Sequence, residues 1–393
     1  MSSLLVLGAS RYQLDVIRRA KELGHRVVTT DNVPTNPGHA LADASYEVDT
    51  TDFDGVLGVA RREGIAGVVA PCTDVAVATA AHVAGALGLP AIPLESAKTL
   101  TSKVLFRRFL ASEGLPAPRF VQVAAGDDDA IELPGPFPLI VKPEGSSGSK
   151  GVFIVRTEPE LRERLPATLA FSPTRVAIVE ELVYGRQGTC EGVVIDGSIA
   201  FSVVTDRETA KAPFVATAAH FVPAAIAPER TTALIAQILA KHGIARAVFD
   251  CDFVVAADGT PHVLELTPRL GGNALTRLVN EATGIDLAEI AVRLACGSDV
   301  SFARAVAARP VAQLILGVER AGKLSFDASE VDRLKQEPWV RALSFDYAIG
   351  EPVEAFINGR TRVGEATLRA ESRRELDARV AELRARMKLG VDP

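Results

Sequence analysis

Two clusters of residues have the types and spacing to handle a polyphosphate and a divalent cation. The first is Pro138-Leu-Ile-Val-Lys142-Pro143, an apolar strand pattern ending in a lysine. Glu144-Gly145-Ser146-Ser147-Gly148-Ser149-Lys150-Gly151 follows, and then a second apolar run, Val152–Val155. A Gly/Ser loop between two strands exposes backbone N–H groups and lets the chain approach a phosphate closely. Lys142 and Lys150 supply positive charge. The order GK[ST] before a helix is absent, so this would be a strand–loop–strand clasp rather than a Walker loop. The bland alternative is a hairpin loop with incidental lysines.

The second cluster places Asp252 in the run Phe249–Val255, a turn at Asp258-Gly259, and Glu265 in the run His262–Arg269. Two apolar runs joined by Asp-Gly predict a hairpin. Asp252 and Glu265 take matched polar positions, and on one face they would present two carboxylates to a shared point. Such a pair repels unless a cation lies between. Mg²⁺ bridging phosphates needs few protein carboxylates, its other ligands being phosphate and water. Arg269, two residues past Thr267, could then stabilise charge that develops on phosphoryl transfer. The alternative is an ordinary solvated strand face, which the apolar flanks argue against. Asp250 is a spare acid on the same side.

These clusters need elements to hold them. The first hundred residues alternate strand and helix patterns: strands at Leu4–Leu7, Arg26–Thr30, Ser45–Val48 and Gly67–Ala70, helices at Leu14–Leu23, Phe53–Glu63 and from Asp74. That rhythm predicts a doubly wound parallel sheet. Leu94–Pro118 reads as helical, and strands and hairpins then dominate to about Cys296. Asp127–Asp129 reads as a solvated loop. Beyond Ser301 come short strands near Val311–Leu316 and Glu354–Ile357, then a closing helix. Ser372 and Glu375 have capping-box spacing, Leu376, Val380, Leu383 and Met387 share a face, and Gly390 is the expected stop. That face packs on its own domain or, as an alternative, forms a homodimer contact.

With 393 residues the chain is too long for one core. Its formal net charge of -6 excludes a global affinity for nucleic acid or an anionic membrane. Cys72, Cys190, Cys251 and Cys296 form no metal-like spacing, as expected of packing thiols in a reducing compartment. Val75–Leu94 is apolar or neutral throughout, but Gly88, Pro90 and His82 favour a buried helix plus a short strand over a membrane span. The N-terminus lacks signal-peptide features, and the expectation is a cytoplasmic protein.

The clusters, in this order, resemble the ATP-grasp superfamily. Val141-Lys142-Pro143 and its loop look like that family's second lysine and phosphate-covering loop, and Lys103 looks like its first lysine. Val179-Glu180-Glu181-Leu182-Val183 followed by Gly185 looks like the adenine hinge. Leu264-Glu265-Leu266-Thr267-Pro268-Arg269-Leu270-Gly271-Gly272 looks like the metal-and-arginine signature. The resemblance implies a Rossmann-like domain over 1–98, a two-subdomain ATP-grasp fold over 99–300 with its lid at about 119–182, and a small α+β domain over 301–393.

It also implies roles. Lys103 and Lys142 would contact ATP phosphates under Ser146–Gly151, including Ser147, Gly148, Ser149 and Lys150. Glu180 would face the adenine amino group, with Glu181 and Val183 offering backbone atoms. Gln187 stands where many members carry a ribose-binding acid, and Glu191 would share that work. Asp252 and Glu265 would hold Mg²⁺ (or Mn²⁺), with Thr267 a weaker ligand where Asn is usual. Arg269 would stabilise an acyl phosphate. Thr205-Asp206-Arg207 and Pro213-Phe214…His220-Phe221-Val222-Pro223 look like the L-amino-acid ligase and carboxylate–amine ligase branch. Arg207, Lys211, His220, Gly271 and Gly272 become candidates for a small carboxylate or amine substrate.

The expected activity is amide or peptide bond formation through an acyl phosphate. A purine-type relative activating bicarbonate or formate is the nearest rival. A dinucleotide-dependent oxidoreductase fits poorly, because Gly8-Ala9-Ser10 lacks the GxGxxG spacing. A nucleotide-binding regulator is disfavoured by the intact Lys142, Asp252, Glu265 and Arg269.

Overall fold

The computed structural model describes residues 2–126, 131–210, 214–302 and 308–392. The expected Asp127–Asp129 loop and Lys211 lie outside the described residues. In the first unit, β1 (Ser3–Leu7), β2 (Arg26–Thr30), β3 (Ala44–Tyr46) and β4 (Gly67–Val69) form a parallel sheet in the order β3-β2-β1-β4. Successive side chains of β1 serve two cores. Leu5 and Leu7 pack with α3 (Phe53–Glu63) and α4 (Val77–Leu87), whereas Leu4 and Val6 pack with α1 (Leu14–Glu22). A sheet covered on both faces explains its unbroken apolar strands. A short helix, α2 (Pro37–Leu41), precedes β3. Asp74 opens a 3-10 turn (Asp74–Ala76) rather than α4 itself. Gly88 ends α4 in the left-handed region, and no strand follows it, contrary to expectation. No helix among the described residues is long and apolar enough to cross a membrane.

The helical stretch expected over Leu94–Pro118 is two helices, α5 (Leu94–Thr101) and α6 (Lys103–Ser112), split at Ser102. Ser102 adopts extended backbone, and its hydroxyl accepts from the Leu105 N–H to cap α6. Next, β5 (Phe120–Ala124), β6 (Leu139–Pro143), β7 (Phe153–Val155) and β8 (Val176–Glu181) form an antiparallel sheet, β5-β8-β6-β7. Helix α7 (Glu158–Ala170) packs Leu161, Leu165 and Leu169 onto Leu139, Val141 and Val179 of this sheet.

The largest sheet is antiparallel and eight-stranded. It is built from β9 (Gly185–Ile195), β10 (Ser198–Thr209), β11 (Thr217–Val222), β12 (Ala247–Ala256), β13 (Pro261–Thr267), β14 (Val311–Leu316), β16 (Val340–Phe345) and β18 (Gly364–Arg369). Their order is β13-β12-β9-β10-β11-β14-β18-β16. Helix α8 (Glu229–Lys241) covers one face through Ile235, Ile238 and Leu239, packed with Phe249 and Phe253. Helices α9 (Leu275–Thr283) and α10 (Leu287–Ala295) join the first unit to the other face.

Of the strands after residue 301, β14, β18 and β16 extend the large sheet. Their core includes Ala219 and Phe221 of β11 alongside α11 (Ala328–Leu334) and α12 (Arg373–Met387). A small sheet joins β15 (Gly322–Ser325), β17 (Pro352–Val353) and β19 (Gly390–Asp392). The strand expected at Glu354–Ile357 is absent; only Pro352–Val353 pairs. Gly390 begins β19, and the left-handed Lys388 caps α12 instead.

Candidate active site

Two adjoining cavities lie along the large sheet. The smaller, about 130 Å³, is enclosed between the β5–β8 sheet and β12–β13, with Lys103, Lys142, Leu182, Val183 and Gln187 in its wall. The larger, about 320 Å³, opens toward the first unit and the C-terminal residues, with Asp74, His220, Asp250, Arg269 and Gly272 in its wall. Ser147, Gly148, Ser149, Arg207, Asp252 and Glu265 line both. The acid pair therefore stands at the junction of the two cavities.

The hairpin register explains that placement. Asp252 is paired directly with Glu265, and a bulge follows Asp252. Directly opposed residues share a face of the sheet. Asp252 accepts from the Thr189 hydroxyl at 2.6 Å and from Arg207 Nη1 at 2.8 Å. Glu265 lies 4.0 Å from Lys103 Nζ; burial raises its pKa, Lys103 opposes this, and Asp74 and Asp252 add to the rise. A carboxyl in that setting is stabilised as an anion by an added cation. Among the described residues no three His, Cys, Asp or Glu side chains are grouped to hold a metal. A divalent ion here would have two carboxylates, and phosphate and water would have to complete its shell. The donor set fits Mg²⁺ in that form. Thr267 pairs with Asp250 two residues further along, is fully buried with an unpartnered hydroxyl, and lines neither cavity.

Lys142 is buried and donates to Glu180 Oε2 at 2.6 Å. The fully buried Arg107 of α6 lies 2.8 Å from Glu180 Oε1 and donates to the Leu264 carbonyl at 2.9 Å. Burial alone would raise the Glu180 pKa, but Arg107 and Lys142 outweigh it and bring it to about 2. Glu180 also lines the small cavity, and its carboxylate is the counter-charge of two buried cations. Its neighbours Leu182 and Val183 line the small cavity, while the Glu181 carboxylate turns to the Arg119 N–H at 3.0 Å. Arg107 carried no signal in the sequence; it reads as one more polar helix residue.

Lys103, at the first turn of α6, donates to the Ser146 carbonyl at 2.6 Å. The loop's base is tied down where Glu144 accepts from the Ser102 hydroxyl at 2.5 Å and from the Val104 N–H at 3.1 Å. Gly145, Gly148 and Gly151 all have positive φ, the conformation that favours glycine. Gly151 lines neither cavity, however: a Cβ there would meet Phe171 at 2.8 Å, and Thr168 donates to its carbonyl at 2.8 Å. Lys150 lines only the larger chamber, not the small one.

Arg269 is held in the chamber wall by two acids. Its Nε donates to Asp74 Oδ1 at 2.7 Å, its Nη1 donates to Asp250 and, at 3.0 Å, to the Leu270 carbonyl, and of the two cavities it lines only the chamber. It therefore bridges the turn after β4 to β12. Behind it, Glu191 is fully buried, pairs across strands with Asp250, and accepts from the Gly271 N–H at 3.3 Å. Burial, then Asp250, push the Glu191 pKa well above the carboxylate range. Glu191 lines neither cavity and is not placed to meet a ribose. Gly271 is fitted to it, since a Cβ would approach Glu191 Oε1 to 2.0 Å.

His220 faces Arg207 across β10–β11, and its Nδ1 lies 3.1 Å from the Thr205 hydroxyl. Burial, then Arg207, lower its pKa to about 3, leaving a neutral imidazole on the chamber wall. Arg207 also donates to the Thr217 hydroxyl at 2.9 Å. Sequence reasoning missed Asp74, Cys72, Arg11, Tyr12 and Arg360, which enter the chamber from remote segments.

The two cavities are thus divided by an acid pair and share the Gly/Ser loop. Residues 135–277 match the model of the ATP-grasp domain. An uncharacterised protein of Sinorhizobium fredii is 26% identical over 347 residues, 84% of this chain and 70% of that one. A formate-dependent phosphoribosylglycinamide formyltransferase of Burkholderia pseudomallei is 31% identical over 161 residues, so the match spans 40% of this chain and 40% of that enzyme. Among solved structures, the L-amino acid ligase from Bacillus licheniformis superposes with a TM-score of 0.84 at 21% identity, covering 100% of this chain and 98% of that one. Phosphoribosylglycinamide synthetase from Anaerococcus prevotii gives 0.77 at 19% identity, with 100% of both chains covered. The fold of this chain is the one these proteins share.

Proposed function

We propose that this protein is an ATP-dependent carboxylate–amine ligase that takes an amino acid on at least one side. The observation that carries the reading is the Asp252–Glu265 pair at the junction between a lysine-lined cavity and a separate chamber. ATP would occupy the smaller cavity, with Lys103, Lys142 and Ser146–Ser149 on its phosphates. The hinge backbone at Glu181 and Val183 would meet the base, and Gln187 the ribose. Mg²⁺ held by Asp252 and Glu265 would neutralise phosphate charge at the junction. The substrate carboxylate would be activated as an acyl phosphate and captured by an amine in the chamber, beside Arg269, His220, Arg207 and Gly272. In this reading residues 1–98 and 301–393 wall the chamber around the nucleotide-gripping unit of 99–300. The chemistry is positioning and charge stabilisation under a loop that excludes water.

Activation of formate or bicarbonate is the second reading, favoured by the segment 31% identical to a formate-dependent enzyme. Phosphate release with Mg-ATP, screened over amino acids singly and in pairs and over formate and bicarbonate, separates the two. Release that requires an amino acid and an amine supports the ligase. Release driven by formate or bicarbonate alone selects the second reading, and no release with any pair contradicts the first.

A further inference from the structure

A third cavity, of about 440 Å³, is larger than either of the two in the candidate active site. It shares Arg269 alone with the chamber and nothing with the small cavity. It lies where the first unit meets the large sheet, with β4 and α4 on one side and the start of β12 and α10 on the other. Small side chains leave the gap in what is otherwise a close-packed interior: Ala80 and Ala84 line it from α4, Ala291 and Ala295 from α10. Val248 and Leu270 give it an apolar floor.

The cavity reaches the surface at Ala91, Ala245 and Arg246, all exposed. Among the described residues, Arg246 and Arg269 are the charged members of its wall. Arg269 brings no free charge, because its guanidinium is bonded to Asp74 and Asp250. Arg246 is different. It donates from Nη2 to the Ser298 carbonyl at 3.0 Å and, among the described residues, has no acidic partner. The other N–H groups of its planar fork are left for an anion at the cavity mouth. Atoms that line a void lack packing partners on one side, and a guest of fitting shape restores those contacts. An apolar cavity of this size with one unmatched guanidinium at its rim therefore calls for a guest with an apolar body and a single anionic end.

We propose that this cavity binds an apolar monocarboxylate, with its hydrocarbon part between α4 and α10 and its carboxylate on Arg246. A guanidinium can take a carboxylate through two parallel N–H donors, which favours an acid over an alcohol of the same body. With Arg269 as the common wall, the site stands back to back with the chamber and apart from the Asp252–Glu265 junction. It does not depend on the ligase reading.

The test is calorimetric titration of the full chain with octanoate, 4-phenylbutyrate and 1-octanol, with sedimentation velocity on the same samples. Octanoate or phenylbutyrate should bind, and Arg246→Gln, at an exposed position that leaves the fold intact, should weaken that binding about tenfold or more. Arg246→Lys should restore part of it, and binding of 1-octanol should not respond to Arg246→Gln. Ala80→Leu, which fills the cavity from α4, should remove binding of all three, with its urea unfolding midpoint measured to show that the chain is folded. Preference for octanoate identifies an aliphatic acid, and preference for phenylbutyrate an aromatic one. Binding of neither acid overturns the proposal. So does acid binding indifferent to Arg246→Gln, or to a folded Ala80→Leu, which would place the acid elsewhere on the chain. A dimer that Ala80→Leu splits would make a second copy of this chain the occupant, and would overturn it as well.

Discussion

The two buried charge clusters flanking the site are built from the same kinds of group in opposite proportion. On the nucleotide side, Lys142 and Arg107 share one acid, Glu180. On the chamber side, Arg269 serves Asp74 and Asp250, with Glu191 pressed against them. The acid answers accordingly. Glu180 is held ionised with its pKa at about 2, whereas Glu191 is pushed far the other way. Burial acts identically on both, so the count of neighbouring cations decides the sign. A surplus of positive charge suits a polyphosphate, and a surplus of acid leaves a proton in place beside the chamber.

The comparison can be broken by substitutions. Glu180→Gln should be the most damaging to stability, because it leaves two buried cations without their counter-charge. A loss of about 3–5 kcal/mol in denaturant unfolding is expected, and a loss under about 1 would mean that the triad is relaxed by water. Arg269→Ala exposes the mirror-image weakness, two buried acids unpaired, and should also cost several kcal/mol (roughly 3–5). Activity lost by that variant must therefore be read against its stability. Glu265→Gln keeps shape and removes charge at the junction. It should lower phosphate release by about 10²–10³-fold or more with little change in unfolding, and a near-normal rate would remove Glu265 from the metal site. Glu191→Gln sharpens the contrast: a side chain already protonated should tolerate an amide at a cost of about 1 kcal/mol or less.

A further effect is in the pH dependence. Glu180 titrates near 2 in the folded chain instead of its ordinary 4.5, so the unfolded chain binds more protons between those values. Its stabilisation is complete above 4.5 and is lost as pH falls toward 2. His220, lowered from 6.5 to about 3, acts in the same direction over that wider window. Glu191 acts oppositely, because above 4.5 the folded state keeps a proton that the unfolded chain releases, and stability declines as pH rises. Glu191→Gln should remove that decline, and urea midpoints measured between pH 5 and pH 8 would show it.

Sequence made the hairpin and its acids legible because local signals agreed: an Asp-Gly turn, apolar flanks, and polar residues at matched positions. The Gly/Ser loop was equally plain, since left-handed positions call for glycine. The counter-charges were not. Arg107 and Glu180 are 73 residues apart, and Arg269 and Asp74 are 195 apart, and no periodicity links them. The partners of Glu180 are hidden for the same reason: its motif position points to a base contact, while the cations that pair with it lie on other elements. Nor could hydropathy show that β14, β16 and β18 continue a sheet begun near residue 185, because strand pairing over such distances leaves no local trace.

The central claim is that Asp252 and Glu265 hold a metal exactly where nucleotide and acceptor spaces meet. A crystal structure with Mg²⁺ and a non-hydrolysable ATP analogue tests it most directly. The account predicts metal between those two carboxylates and the terminal phosphate at the mouth of the chamber. A nucleotide bound elsewhere, or metal held without Glu265, would contradict it.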